Sequence, residues 1–252
     1  MGETKKKEDL LNSTMSLGDH LEELRMRILL ALGGLAVGVV ISFFFGKWII
    51  AFIQRPYVEA LGKEAHLQTL GPTQGFVSYV KIATISGLIL TSPWVFYHLW
   101  MFVAAGLYPH ERRYVRISVP FSAALFIAGA MFFIFVIAEF GLRFLTGVDK
   151  WLGLQSNWTF PKYVSFITSL MLVFGIAFQT PLAIFLLTKT GLVSIAALKR
   201  ARKYVVLAIV IVAAMATPPD VYSQIALAVP LYLLFELGIL LSYFAGRKKT
   251  PR

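Results

Sequence analysis

The chain has no cysteine among its 252 residues. Disulfides, thiol nucleophiles and cysteine metal sites are therefore excluded, although the absence says little about compartment. Charge is scarce as well. Asp, Glu, Lys and Arg make up 15% of the residues, where a soluble domain carries about 25%. The four histidines (His20, His66, His98 and His110) are scattered and have no metal-ligand spacing. There is no Walker A loop, and so no visible means of hydrolysing nucleotide. No nucleophile-and-base pattern occurs either, which argues against an enzyme and leaves an intramembrane hydrolase as the residual option. No small-residue cleavage site follows the first apolar run, where Phe43-Phe44-Phe45-Gly46-Lys47 stands, so no cleaved signal peptide is expected.

What the chain has in excess is apolar surface, 58% of its residues. It falls into six runs: 28–46, 82–109, 117–138, 163–188, 204–219 and 221–246. A membrane span needs about 20 residues to cross a hydrocarbon core of about 30 Å. The first four runs qualify. The fifth ends in Pro218-Pro219 and reaches only roughly 24 Å as a helix. It fits either a re-entrant pair or a true span joined to the sixth run by a tight turn. The length of the sixth run favours spanning, with the bilayer thinned locally. Pro93, Pro120, Pro181 and Pro230 interrupt the runs.

Net charge is +11, and its distribution is uneven. With six spans, seventeen of the 24 lysines and arginines fall on the side of the termini and seven on the other. The excess of basic residues marks the cytoplasmic side. These residues sit at the ends of runs rather than on one polar face, so nucleic-acid binding does not follow. The expected fold is an all-α polytopic membrane protein with six transmembrane helices, a short fifth and sixth span, and both termini cytoplasmic. Residues 1–15 read as a disordered tail, 16–246 as one membrane domain and 247–252 as a basic tail. Within 16–27, Leu17, Leu21, Leu24 and Ile28 share a helical face, which predicts a short amphipathic helix at the membrane surface. The long outer segments 54–80 and 143–162 are expected to form folded caps, and 217–220 only a turn.

On this basic face a few acids stand out: Glu22, Glu23 and Glu111. Glu111 lies in the polar island 107–116, among Arg112, Arg113 and Arg116. Two readings are open. Each acid can pair locally, Glu23 with Arg27 for example, and such exposed pairs contribute about 0–1 kcal/mol. Or the carboxylates receive a guanidinium-rich segment of a partner, at about 1.5–3 kcal/mol per charge-assisted hydrogen bond. Within the apolar runs the polar residues are Gln179, Gln224 and Glu236. An acid near a helix centre costs about 2.5–3.5 kcal/mol on insertion scales. Glu236 therefore reads as buried between helices or, in a rival reading, as part of a midplane site with Gln179 in a secondary transporter of a small solute or ion. Phe102 reads as packing.

Three stretches carry a family resemblance: His20-Leu21-Glu22-Glu23-Leu24-Arg25, Tyr108-Pro109-His110-Glu111-Arg112-Arg113, and Thr217-Pro218-Pro219-Asp220-Val221-Tyr222-Ser223-Gln224. Together they resemble the TatC family, the multispanning receptor subunits of twin-arginine protein translocases, across residues 16–245. The resemblance implies a receptor for the paired-arginine signal peptides of folded cargo, working with single-span subunits of the TatA/TatB type and driven by the proton-motive force in the bacterial cytoplasmic membrane. It implies Glu23 and Glu111 as signal-peptide contacts, with Arg25 and Phe102 in the same region. Pro56 matches a position linked to assembly, and Asp220 and Gln224 match the outer turn before the last span. No cofactor, metal or nucleic acid is implied; membrane lipids are, and association with further copies of the chain is left open. One departure stands out. Family members often carry glutamate where this chain has Gln179, in Phe178-Gln179-Thr180-Pro181. An amide can hydrogen-bond a partner helix but cannot ionise.

Overall fold

The structure, a computed structural model, describes residues 17–62, 66–105, 112–216 and 221–246. These residues are helical throughout apart from short connections and one isolated β-bridge. In chain order the helices are α1 (Leu17–Phe44), α2 (Gly46–Leu61), α3 (Gln74–Leu90), α4 (Ser92–Ala105) and α5 (Arg112–Phe132). A π-helical turn, Phe133–Ile137, leads into α6 (Ala138–Trp151). Then come α7 (Phe160–Ala177), α8 (Thr180–Lys189), α9 (Ile195–Ala216) and α10 (Val221–Gly246).

Four helical stretches are long and apolar enough to cross a membrane: Leu21–Phe44, Ile117–Trp151, Phe160–Lys189 and Gln224–Phe244. A fifth is the pair Gln74–Leu90 and Ser92–Ala104, bent by 61° at Thr91. Pro93 has no N–H to give to Ile89 O across the break, and the Ser92 hydroxyl donates to that carbonyl instead, at 2.8 Å. Thr91 closes the end of α3 by donating its N–H and its hydroxyl to Gly87 O, at 2.9 and 2.7 Å. The fifth apolar run lies in α9, whose opening turns hold Lys199, Arg200, Arg202 and Lys203. Its uncharged part is short, and α9 is not among the four stretches.

Three sequence expectations change. Residues 17–27 are not a separate surface helix but the first turns of the continuous α1. No proline or glycine falls between Leu21 and Leu32 to break it, and Glu23 and Arg27 pair one turn apart along it. The first outer segment begins as helix α2, although Gln54, Arg55 and Pro56 read as loop. The third run continues past Ala138 through the π turn into α6, where Arg143 pairs with Glu139 at 2.6 Å.

The main core lies away from the start of α1 and the end of α10. Ile53 and Tyr57 of α2, Phe133 and Ile134 of the π turn, Leu142 of α6, and Tyr163, Ile167 and Phe174 of α7 are all buried there. Tyr163 donates to Ile53 O at 2.6 Å and meets the Tyr57 ring edge-on at 5.3 Å. Burial pushes the Tyr57 phenol above its ordinary value, so it packs as a neutral ring. Over this core the two long connecting segments join. Phe160 N donates to Gln68 O at 2.7 Å and Gln68 N to Trp158 O at 3.3 Å, a one-residue parallel bridge between Gln68 and Thr159. The expected folded cap is therefore present. Elsewhere α1 crosses α3 with backbones in contact: a Cβ on Gly87 would lie 2.6 Å from Val39 N. A second, smaller core joins α8 and α10 through Ile184, Phe235 and Ile239.

Candidate functional site

Away from the cap, near the start of α1, lies Glu23, one of the acids the sequence singled out. Glu23 is partly buried on α1, and its Oε1 accepts a hydrogen bond from Arg27 Nη2 at 3.2 Å. Helical spacing puts these two on one face. Arg25, two residues on, is rotated by about 200° and is exposed. It does not join Glu23. Glu111 and Asp220 lie outside the described residues, so the expected pairing of the two carboxylates rests on Glu23 alone here. Phe102, on α4, is half-buried and makes contacts inside the fold.

The face of α1 that carries Arg27 packs on α4. Trp94 Nε1 donates to Leu30 O at 2.9 Å, and the indole lies against Gly34, where a Cβ would collide with it. One turn further along α4 sits His98, 3% exposed. Trp94 and Tyr97 cover it, with ring centroids 4.6 and 5.2 Å away. Among the described residues neither of its nitrogens has a hydrogen-bond partner, and it lies within electrostatic reach of Arg27. Sequence reasoning passed over His98 as one of four scattered histidines. The available signal was its position inside an apolar run, one turn from two aromatic residues.

Gln179 occupies the break between α7 and α8. Its Nε2 donates to Ser122 O of α5 at 3.0 Å, and Trp100 of α4 donates its indole N–H to Ser122 Oγ at 2.6 Å. The amide thus ties three segments together at Ser122. Gln179 is not in the wall of the open apolar groove of about 500 Å3 that Phe45, Trp48, Ile89, Met131 and Met171 help to line. Gln224 of α10 donates to Val210 O of α9 at 3.1 Å and so pins that hairpin. Pro56 is buried inside α2, in the packing of the cap.

Glu236 is neither unpaired nor fully buried. Arg202 of α9 donates to its Oε2 at 2.7 Å and the Tyr232 hydroxyl to its Oε1 at 2.8 Å. The arginine that offsets its insertion cost comes from the neighbouring helix, a pairing invisible at a sequence separation of 34. Its partners are not those of Gln179. Among the described residues no group of three or more metal-ligating side chains occurs.

These features define a class: a multispanning, all-helical membrane protein with a packed cap at one end and partly buried polar side chains, Glu23 and His98 among them, towards the other. The comparisons narrow it. The family described as "Sec-independent protein translocase protein (TatC)" matches residues 19–230. The Sec-independent protein translocase protein TatC of Aquifex aeolicus is 36% identical over 237 residues, covering 93% of this chain and 98% of that protein. That of Desulforapulum autotrophicum is 35% identical over 231 residues, covering 92% of this chain and 85% of its own length. A crystal structure of the twin arginine translocase receptor TatC superposes with a TM-score of 0.82 at 33% identity, covering 90% of this chain and 100% of the other. The chain belongs to the TatC family.

Proposed function

We propose that this chain is the twin-arginine signal-peptide receptor and core subunit of a Sec-independent translocase, passing folded proteins across the membrane with the help of other Tat subunits and the proton-motive force. It is a transport component, not an enzyme. The observation that carries the receptor assignment is the Glu23–Arg27 pair: Glu23 already accepts a guanidinium in this structure, at 3.2 Å and only partly exposed. The side chain that an arginine-bearing peptide would present is chemically the same group. A peptide guanidinium binds Glu23 by sharing or displacing Arg27, and Glu111 takes the second arginine of the pair. Arginine suits this exchange because its planar fork meets a carboxylate with two parallel donors. Arg25 contributes from another face of α1, and Phe102 from α4.

The chain crosses the bacterial cytoplasmic membrane six times, α9 forming the short fifth span, with both termini in the cytoplasm. Residues 1–15 and 247–252 are tails on a membrane domain of 16–246. TatA/TatB-type single-span subunits pack along the helices, with Gln179, Asp220 and Gln224 as their contacts on this chain. Pro56, being buried, affects assembly through the shape of the cap rather than by direct contact.

Photo-crosslinking of a twin-arginine peptide to membranes containing the full chain tests the receptor assignment. Crosslinking should be lost when Glu23 and Glu111 are both changed to Ala. Undiminished crosslinking in that double variant removes both residues from the site.

A further inference from the structure

Between the opening turns of α9 and the closing turns of α10 lies an open groove of about 550 Å3. It changes character along its length. Lys199 and Tyr243 stand at the mouth, towards the chain termini. Arg202 and Glu236 come a turn or two deeper, and Leu233, Leu237 and Leu240 form the apolar wall. The single acid is already occupied: Arg202 and Tyr232 both donate to it. Arg202 uses one edge of its guanidinium on Glu236 and keeps further N–H donors for the groove. Lys199 is exposed and, among the described residues, has no partner. Arg200 and Lys203 add to the positive field beside it. The groove thus combines a cationic mouth with an apolar interior on the outer face of the α9–α10 hairpin, where Leu207, Ile211, Leu237 and Leu241 are exposed.

We propose that this groove binds one anionic glycerophospholipid. Its phosphate lies against Lys199 and the free edge of Arg202, within reach of the Tyr243 hydroxyl, and an acyl chain runs along Leu233, Leu237 and Leu240. Two arguments select a lipid over a protein helix. Basic pockets between helices at a membrane surface take acidic head groups, and nothing in the groove offers a carboxylate still free for a cationic partner. The site lies apart from Glu23 and does not depend on the signal-peptide reading.

Native mass spectrometry tests the proposal with the full chain released from micelles holding equal amounts of phosphatidylglycerol and phosphatidylcholine. Phosphatidylglycerol should be retained in clear excess. Lys199→Gln should lower its retention about five-fold, the worth of one cation near a membrane surface. Leu237→Trp alters no charge but fills the wall, and should lower it as well. Both positions are exposed, so both variants fold, and matching circular dichroism spectra check this. Lys150→Gln, near the cap, should change nothing. Equal retention of the two lipids overturns the proposal, as does indifference to both groove variants. Full competition by soluble glycerol 3-phosphate overturns the acyl slot by reducing the site to one for free phosphate. A photo-crosslinking amino acid in place of Leu240 should couple to lipid in native membranes. Coupling to a single-span subunit instead makes the groove a protein interface and overturns the assignment.

Discussion

The two ends of this molecule differ in how deeply their contacts are buried. At the cap end, Tyr57, Phe133, Leu142, Tyr163 and Phe174 are 2% exposed or less, two long connecting segments meet over them, and the ion pairs Arg55–Glu59 and Arg143–Glu139 lie on the surface. Towards the start of α1 and the end of α10, the small core of Ile184, Phe235 and Ile239 is joined by two partly exposed ion pairs, Glu23 with Arg27 and Glu236 with Arg202. Close packing tolerates little change, because each buried atom has many neighbours. An exposed ion pair is weak and exchangeable. On the proposed function, the tightest packing lies away from the place where the signal peptide is exchanged.

The contrast makes predictions that differ in size and in kind. The largest effect is expected at the cap: Tyr163→Ala should lower the stability of the detergent-solubilised protein by about 3–5 kcal/mol, measured by thermal unfolding. Glu23→Ala should leave that unfolding curve nearly unchanged, yet weaken twin-arginine peptide binding about ten- to a hundred-fold, as loss of one charge-assisted hydrogen bond requires. If Glu23→Ala instead unfolds the protein and spares binding, the division between the ends is wrong. Arg27→Gln removes the internal competitor for the same carboxylate. Peptide affinity should then rise about two- to five-fold, in line with an exposed pair worth up to about 1 kcal/mol; titration with a fluorescent peptide reads this directly. The smallest change is expected from Gln179→Leu. It forfeits the bond to Ser122 O and should cost about 1 kcal/mol of stability, without abolishing peptide binding.

The apolar runs were legible because their length and lack of charge leave few alternatives to membrane helices. A break near Pro93 was legible too, but the same reading of Pro120 and Pro230 was not upheld, since both stand inside continuous helices. Helix α2 was not: Gln54, Arg55 and Pro56 carry loop-like composition, and only the Arg55–Glu59 pair at 2.6 Å and the burial of Ile53 and Tyr57 show why that segment stays helical. The same holds for the continuity of α1, where a polar-to-apolar switch suggested a break that the backbone has no reason to make. At the site, Glu23 and its alternative partner Arg27 could both be named from i,i+4 spacing. Ser122 and Arg202 could not be placed, because each gains its meaning from a helix distant in sequence.

The bridge between Gln68 and Thr159 has a consequence for how the protein is made. Its two strands of one residue each belong to segments that leave the ribosome far apart in time. Until the start of α7 has been synthesised, Gln68 has no Trp158 carbonyl to bond, and Ile53 and Tyr57 have no Tyr163 to cover them. The first hairpin must therefore wait, half-finished, in the membrane. Long-range closure of this kind is slow and leaves unpaired apolar surface open to misassembly, so a ribosome stalled just before Trp158 should release a chain that quality-control proteases remove.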